Sequence, residues 1–175
     1  TSSPSSLDFA SVVVGSGKTL RVSLTNTGTI RVYIASVSAS GPGFSVGGIS
    51  TRVIPAGMSI DLEVTFQAAQ PGAATGNLQV VSNASNSPTD IPLSGTGVTA
   101  YLTPAPSSLD FGSVRVGGSA QQTVFLNNTG TGAVTVSQAT VTGTGYSISG
   151  LSLPLVLAAG QSTGMSVLFA PQTAG

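Results

Sequence analysis

The sequence has no cysteine, no histidine and no tryptophan among its 175 residues. Without cysteine it forms neither disulfides nor zinc–thiolate sites, and it offers no thiol nucleophile. Without histidine it also lacks the usual nucleophile–base pairs of hydrolases. We therefore predict no catalytic residues, no metal ligands and no cofactor, and a protein that is not an enzyme. A catalytic domain elsewhere in a longer polypeptide is compatible with this prediction.

Charge is scarce as well. Five basic and five acidic residues cancel, and charged residues make up 6% of the chain, against about 25% in typical proteins. Because no basic patch is present, we expect no nucleic-acid partner. No apolar run approaches the ~18 residues of a membrane span. A surface made of serine, threonine and asparagine is typical of exported bacterial proteins, so we expect an extracellular or cell-surface location, with the export signal outside these residues.

One stretch of the sequence occurs twice. Residues 4–15 read Pro-Ser-Ser-Leu-Asp-Phe-Ala-Ser-Val-Val-Val-Gly, and residues 106–117 repeat them with two changes. Asp8 and Asp110 occupy equivalent places, and the repeat distance of 102 residues is one domain length. We therefore predict two domains, 1–99 and 100–175.

Within each copy, apolar and polar residues alternate, and turns rich in glycine, proline and asparagine separate the alternating segments. The first copy has seven such segments, which are 7–14, 20–25, 30–34, 44–46, 60–66, 78–81 and 91–93. Seven short strands in about 100 residues are typical of an immunoglobulin-like sandwich. No stretch has a sustained helical period. The predicted fold class is all-β, with two tandem immunoglobulin-like β-sandwiches.

The second copy repeats the inward positions of the first and changes the outward ones. Val22 and Leu24, for example, return as Val124 and Leu126, whereas the outward Arg21 becomes threonine. A repeated core under a changed surface is typical of structural repeats.

The order of motifs resembles the ASH family of Hydin-like immunoglobulin-like domains, which are similar to the major sperm protein and PapD-like sandwiches. The motifs are Pro-Ser-Ser-Leu-Asp-Phe-Gly-x-Val-x-Val-Gly, then Asn-Thr-Gly, then Ala-Gly before an alternating segment ending in Phe. The first copy also has the family's closing stretch at 76–97. The resemblance implies a binding or spacing module without catalytic residues, and the charge-poor composition looks more like the arrays of secreted bacterial proteins.

The second copy departs from this pattern because no counterpart of residues 73–97, two strands, follows it. As a result, four inward residues of the first copy have no counterpart in the second: Leu78, Val80, Ile91 and Leu93. At about 1.5–3 kcal/mol for each buried aliphatic side chain, their loss removes about 6–12 kcal/mol, similar to the ~5–15 kcal/mol that stabilises a whole domain. We expect that the second domain does not close its core unaided. Either the sequence is cut from a longer array, or a strand from another subunit completes the sheet.

Local motifs that resemble ligand sites have simpler explanations. Residues 15–19 end like a phosphate-binding loop, but an alternating strand follows them instead of a helix. Residues 95–100 fit a relaxed dinucleotide fingerprint, and we interpret them as a domain linker. We interpret Asp8 and Asp110 as structural, since no acidic cluster surrounds them. Asp61 and Glu63 belong to a solvated strand face.

Two functions remain open. The first is a structural or adhesive repeat, a spacer, stalk or filament element whose partners are neighbouring repeats or subunits of the same kind. A self-assembling homo-oligomer completed by strand donation is its special case. The second is a protein- or glycan-binding module that uses sheet edges or the loop regions 41–48 and 143–150. Three tyrosines and no tryptophan leave little aromatic surface for recognition, which favours the first.

Overall fold

The structure, a computed structural model, describes residues 1–49 and 51–174. These residues form strands and turns and contain no helix, so the predicted all-β class is confirmed. The chain divides into two compact units, Thr1–Val98 and Thr99–Gly175. The predicted boundary lay one residue later. Thr99 falls in the second unit, because its backbone nitrogen and its side-chain hydroxyl both bond with Thr131.

The first unit consists of nine strands in two sheets. They are β1 (Ser2–Ser3), β2 (Leu7–Val13), β3 (Gly17–Thr25), β4 (Val32–Ser40), β5 (Phe44–Val46), β6 (Val53–Ile54), β7 (Ser59–Gln67), β8 (Gly72–Ser82) and β9 (Thr89–Val98). One sheet has the order β1-β3-β7-β5, and the other has the order β2-β9-β8-β4-β6. All pairs are antiparallel except β2 with β9. The seven predicted segments overlap seven of these strands; β1 and β6 have two residues each, too few to show a period in sequence.

The two sheets of the first unit enclose one hydrophobic core. Its cluster contains sixteen buried apolar side chains drawn from both sheets. Because successive residues of a strand point to opposite faces, the alternation in β3 and β7 sends Val22 and Val64 inward and leaves Arg21 and Glu63 outside. Arg21 Nη2 lies 2.7 Å from Glu63 Oε1 on that exposed face. The predicted solvated face therefore carries an ion pair between neighbouring strands.

The second unit has six strands, and each corresponds to a strand of the first. They are β10 (Leu102–Ala105), β11 (Ala120–Asn128), β12 (Val134–Val136), β13 (Tyr146–Ser149), β14 (Leu155–Leu157) and β15 (Ser162–Phe169). The sheet β10-β11-β15-β13 repeats β1-β3-β7-β5, and the pair β12-β14 repeats β4-β6.

Three strands of the first unit have no counterpart among the described residues of the second. Two of them, β8 and β9, were expected to be missing. The third is β2, because residues 109–115 repeat its sequence but form no strand. In the first unit β2 pairs with β9, so its counterpart has no strand with which to form a ladder. The predicted absence of the last two strands is confirmed, and the counterpart of β2 is a third strand that does not form.

The Ala10 backbone gives a first testable prediction. Ala10 is the one described residue other than glycine with a positive φ, 54°, and its counterpart Gly112 has a φ of 56°. It lies where the register of β2 with β9 shifts. Since an L side chain is strained there by about 1–2 kcal/mol and glycine loses about 0.5–1 kcal/mol in entropy, Ala10→Gly should raise the free energy of unfolding of the first unit by about 0.5–1 kcal/mol.

A urea titration followed by amide NMR signals of β3 and β7 measures this change. The matched control is Ala73→Gly, at an exposed strand position without a positive φ, which should lower the free energy of unfolding by about 0.5–1 kcal/mol. An equal loss of unfolding free energy in both variants would contradict the assignment of backbone strain to Ala10.

Candidate functional site

The two regions predicted as recognition loops are structural turns joined to edge strands. In residues 41–48, β5 carries the buried Phe44 into the core. Gly41 and Gly43 have positive φ, and a Cβ atom on either would overlap a backbone carbonyl of β8 or β7. Residues 143–150 repeat this arrangement around β13. Gly41 and Gly43 are therefore required by the backbone, and what remains for recognition is the exposed edges of β5 and β13.

The two aspartates of the repeated stretch each accept a hydrogen bond from the backbone nitrogen two residues later. Asp8 Oδ1 accepts hydrogen bonds from the Ala10 nitrogen at 2.9 Å and from Ser94 Oγ at 3.3 Å. Asp110 Oδ1 accepts one from the Gly112 nitrogen at 2.8 Å. Over residues 1–49 and 51–174, no three acidic side chains come together as a group that could hold a metal ion.

The two motifs that resemble nucleotide sites belong to strands of the sandwich. Gly17 begins β3, and Lys18 Nζ donates to the Phe9 carbonyl oxygen at 2.9 Å. Gly95 and Gly97 lie inside β9, so the interpretation of residues 95–100 as a domain linker is wrong for both glycines. Residues 99–101 alone lie between β9 and β10.

Each unit contains a cluster of three aromatic rings that joins one sheet to the segment opposite it. In the first unit the ring centroids of Phe9, Phe44 and Phe66 are 4.7–5.9 Å apart. In the second unit the centroids of Phe111, Tyr146 and Phe169 are 4.6–5.9 Å apart. Rings at these separations attract beyond the burial of their area. The cluster is therefore common to both units.

Strands β8 and β9 cover this cluster in the first unit, and glycines let them approach it. A Cβ atom on Gly76 would lie 2.8 Å from Phe44 Cδ2, and one on Gly95 would lie 2.7 Å from Phe66 Cδ1. Glycine within a strand often marks such a close approach. Phe9 is 0% exposed as a result.

The cluster of the second unit lies at an open face. Tyr146 is 38% exposed, and a cavity of about 540 Å³ lies beside Phe169, lined also by Val114, Val116 and Pro171. We call these residues, together with Phe111, the open face. The sequence shows the aromatic members of the open face as three aromatic positions that recur after 102 or 103 residues. The structure shows that the three rings contact one another.

A second feature is the loop that follows β3 in the first unit. Asn26 is buried; its Nδ2 donates to the carbonyl oxygens of Ile30 at 2.7 Å and Ile54 at 2.9 Å, and its Oδ1 accepts from the Gly28 nitrogen at 3.0 Å. Asn128 makes the same three bonds in the second unit, at 2.8, 2.8 and 3.0 Å. The sequence predicted a turn here, but burial of the asparagine could not be read from it.

The family comparison agrees with these repeated features. The model of the HYDIN/CFA65/VesB-like, Ig-like domain matches residues 2–96. The chain belongs to this family. The model of the ASH domain (abnormal spindle-like microcephaly-associated, ASPM-SPD-2-Hydin) matches residues 97–175. The predicted ASH resemblance and the two immunoglobulin-like domains are confirmed, and such domains are generally non-catalytic.

Solved structures with similar folds come from distant proteins. The ASH/PapD-like domain 7 of human CEP192 is 17% identical, over 58% of this chain and 86% of that one, with a TM-score of 0.47. A Porphyromonas gingivalis W83 protein of unknown function is 16% identical, over 98% and 83%, with a TM-score of 0.48. The secreted serine protease VesC from Vibrio cholerae is 13% identical, over 96% and 46%, with a TM-score of 0.44. None of these similarities bears on function.

The search of curated proteins gives no significant match. Among the residues described, no helix has the length and apolar character needed to span a membrane.

The close packing of Gly95 gives a second testable prediction. Gly95→Ala should destabilise the first unit by about 1–3 kcal/mol, because its methyl group must displace the ring of Phe66 in a filled core. Gly17→Ala is the control, since a Cβ atom there meets its nearest neighbours at an ordinary 3.7 Å. Urea titration followed by amide signals of the first unit compares the two. Equal stability of both variants would show that β9 does not need glycine above the ring.

Proposed function

We propose that the chain is a non-catalytic structural repeat of a larger or self-associating surface protein, acting as a spacer, stalk or filament element. The observation that carries this proposal is the repetition of the inward side chains under a changed exterior. Val22, Val64 and Phe66 return as Val124, Val167 and Phe169. The outward pair of Arg21 with Glu63 is replaced by Thr123 with Ser166 at the same register. What both units keep is the fold and the side chains of its core.

A bacterial cell-surface or extracellular location is part of the proposal. It is supported by the low charge and by the strand faces carrying serine, threonine and glutamine, such as Gln121 with Ser166 and Thr19 with Thr65. On these faces water is bound by neutral hydroxyl and amide groups instead of charged groups. The partners we propose are neighbouring repeats or subunits of the same kind.

A binding assay separates the spacer from a recognition module. As a spacer, the chain should show no saturable binding on glycan and extracellular-protein arrays. The substitutions Ser45→Lys and Ser147→Lys should leave the array signal unchanged. These two residues lie in the middle of the edge strands β5 and β13, and a lysine there blocks strand addition or ligand contact at an edge. Saturable binding that either substitution weakens would assign recognition to that edge and overturn the spacer role.

Self-assembly by strand addition is a second candidate, and the open face is the observation that favours it. An exposed aromatic and apolar sheet face is a site for association, and β-strand addition would supply both the missing ladder and the missing cover. In the first unit this cover includes Leu78 and Ile91, which are both 0% exposed.

Extension of the chain by a copy of residues 73–97 tests this candidate. The added hairpin should raise the free energy of unfolding of the second unit by about 6–12 kcal/mol, since it buries four aliphatic side chains. With strand donation, light scattering after size exclusion should find a defined oligomer for the original chain and a monomer for the extended one. The matched control carries Val in place of the glycines copied from Gly76 and Gly95. These substitutions should prevent both the gain in unfolding free energy and the change from oligomer to monomer.

A fully folded monomer of the original chain, as stable as the extended chain, would contradict strand donation and would also show that the second unit needs no further strands.

A further inference from the structure

The loops after β3 and β11 have the same four residues, Asn-Thr-Gly-Thr, at 26–29 and 128–131. Their asparagines are buried and make matching hydrogen bonds, as described above. Each asparagine backbone nitrogen also donates to the carbonyl oxygen of the residue just before the paired strand, Met58 before β7 and Gln161 before β15. The two loops therefore present the same remaining backbone groups.

In the second unit this loop binds the extended residues 99–101. The Thr129 nitrogen donates to the Tyr101 carbonyl oxygen at 3.0 Å, and the Gly132 nitrogen donates to the Thr99 carbonyl oxygen at 2.8 Å. The Thr99 nitrogen donates to Thr131 Oγ1 at 2.9 Å, and the Thr131 nitrogen donates to Thr99 Oγ1 at 3.2 Å. Four hydrogen bonds thus hold three residues of backbone against the loop.

Glycine is what lets that backbone approach. A Cβ atom on Gly130 would overlap the Thr99 carbonyl oxygen and would lie 2.8 Å from the Tyr101 nitrogen. Gly130 and Gly132 are both buried as a result. The glycine of the motif is therefore explained in the second unit by the segment that it binds.

In the first unit no described residue binds this loop in the same way. The nitrogens of Thr27 and Ile30 have no hydrogen-bond partner in the part of the chain that the structure describes. A Cβ atom on Gly28 would meet one atom, Asn26 Oδ1, at 3.3 Å, and the φ of Gly28 is not positive. Ile30 is 72% exposed, whereas its counterpart Gly132 is buried.

A cavity adjoins the open loop of the first unit. It has a volume of about 450 Å³, with Leu24, Ile34 and Val80 among its apolar lining residues and Asn83 and Asn86 among its polar ones. A volume of this size suits a buried ligand group. It gives the side chains of a segment bound at residues 27–30 a place to pack.

We propose that residues 27–30 of the first unit are a docking site for an extended polypeptide segment of the Thr99–Tyr101 type, leading into β1 as Thr99–Tyr101 leads into β10. The backbone carbonyls of the segment accept hydrogen bonds from the Thr27 and Ile30 nitrogens, a threonine hydroxyl pairs with Thr29, and Gly28 leaves room for the backbone. The inference rests on the proposed repeat function, since a preceding repeat supplies such a segment, but the docking is measured by itself.

The test adds a copy of residues 97–102 before Thr1 and follows amide hydrogen exchange by NMR. The Thr27 and Ile30 amides should exchange at least about tenfold more slowly than in the original chain, because hydrogen bonding protects them. A shuffled six-residue extension of the same composition should give no protection. Gly28→Ala and Thr29→Val in the extended chain should each remove most of it, through lost space and a lost hydroxyl respectively.

The second unit provides the positive control in the original chain. Thr131→Val and Gly130→Ala should speed exchange of the Thr129 and Gly132 amides by at least about tenfold. Unchanged exchange at Thr27 and Ile30 on extension, or equal protection by the shuffled segment, would overturn the docking site and leave the repeat function standing. Protection in a chain that also binds glycans saturably would overturn the repeat function and leave the docking site standing.

Discussion

Contact among three aromatic rings is the interaction on which each unit depends. Phe9, Phe44 and Phe66 belong to strands of both sheets, so their contact fixes the distance between the sheets. Gly76 and Gly95 then let β8 and β9 lie directly against the rings. Once β9 is in place it pairs with β2, which completes the second sheet. The equivalent rings contact one another in the second unit, where no described strand covers them in this way.

Backbone recognition is the other recurring element. Asn26 and Asn128 fix a loop whose outward nitrogens are free to bond, and in one unit those nitrogens hold an extended segment. Unlike a pocket built for a small ligand, such a surface recognises polypeptide backbone together with a threonine hydroxyl. This property agrees with the proposed repeat function, in which a preceding repeat supplies the segment.

Much of the fold could be predicted from the sequence because period-two alternation reports which side of a strand faces the core. The seven segments were found in this way, and the repeat and the family were found from the order of motifs. The two-residue strands β1 and β6 are too short to show a period. The aromatic contacts, the docked residues 99–101 and the roles of Gly95 and Gly130 could not be predicted, since each depends on residues far apart in sequence. The glycines of β9 were misread as a linker for the same reason.

The sequence by itself determined the fold class, the two domains and the family, because these follow from local alternation and from a repeated order of motifs. Tertiary structure decided which similar segments adopt the same conformation. Residues 7–13 and 109–115 differ at two positions, yet the first stretch is β2 and the second is not a strand. A strand requires a partner for its backbone hydrogen bonds; β9 supplies that partner to β2, and no described strand supplies one to residues 109–115.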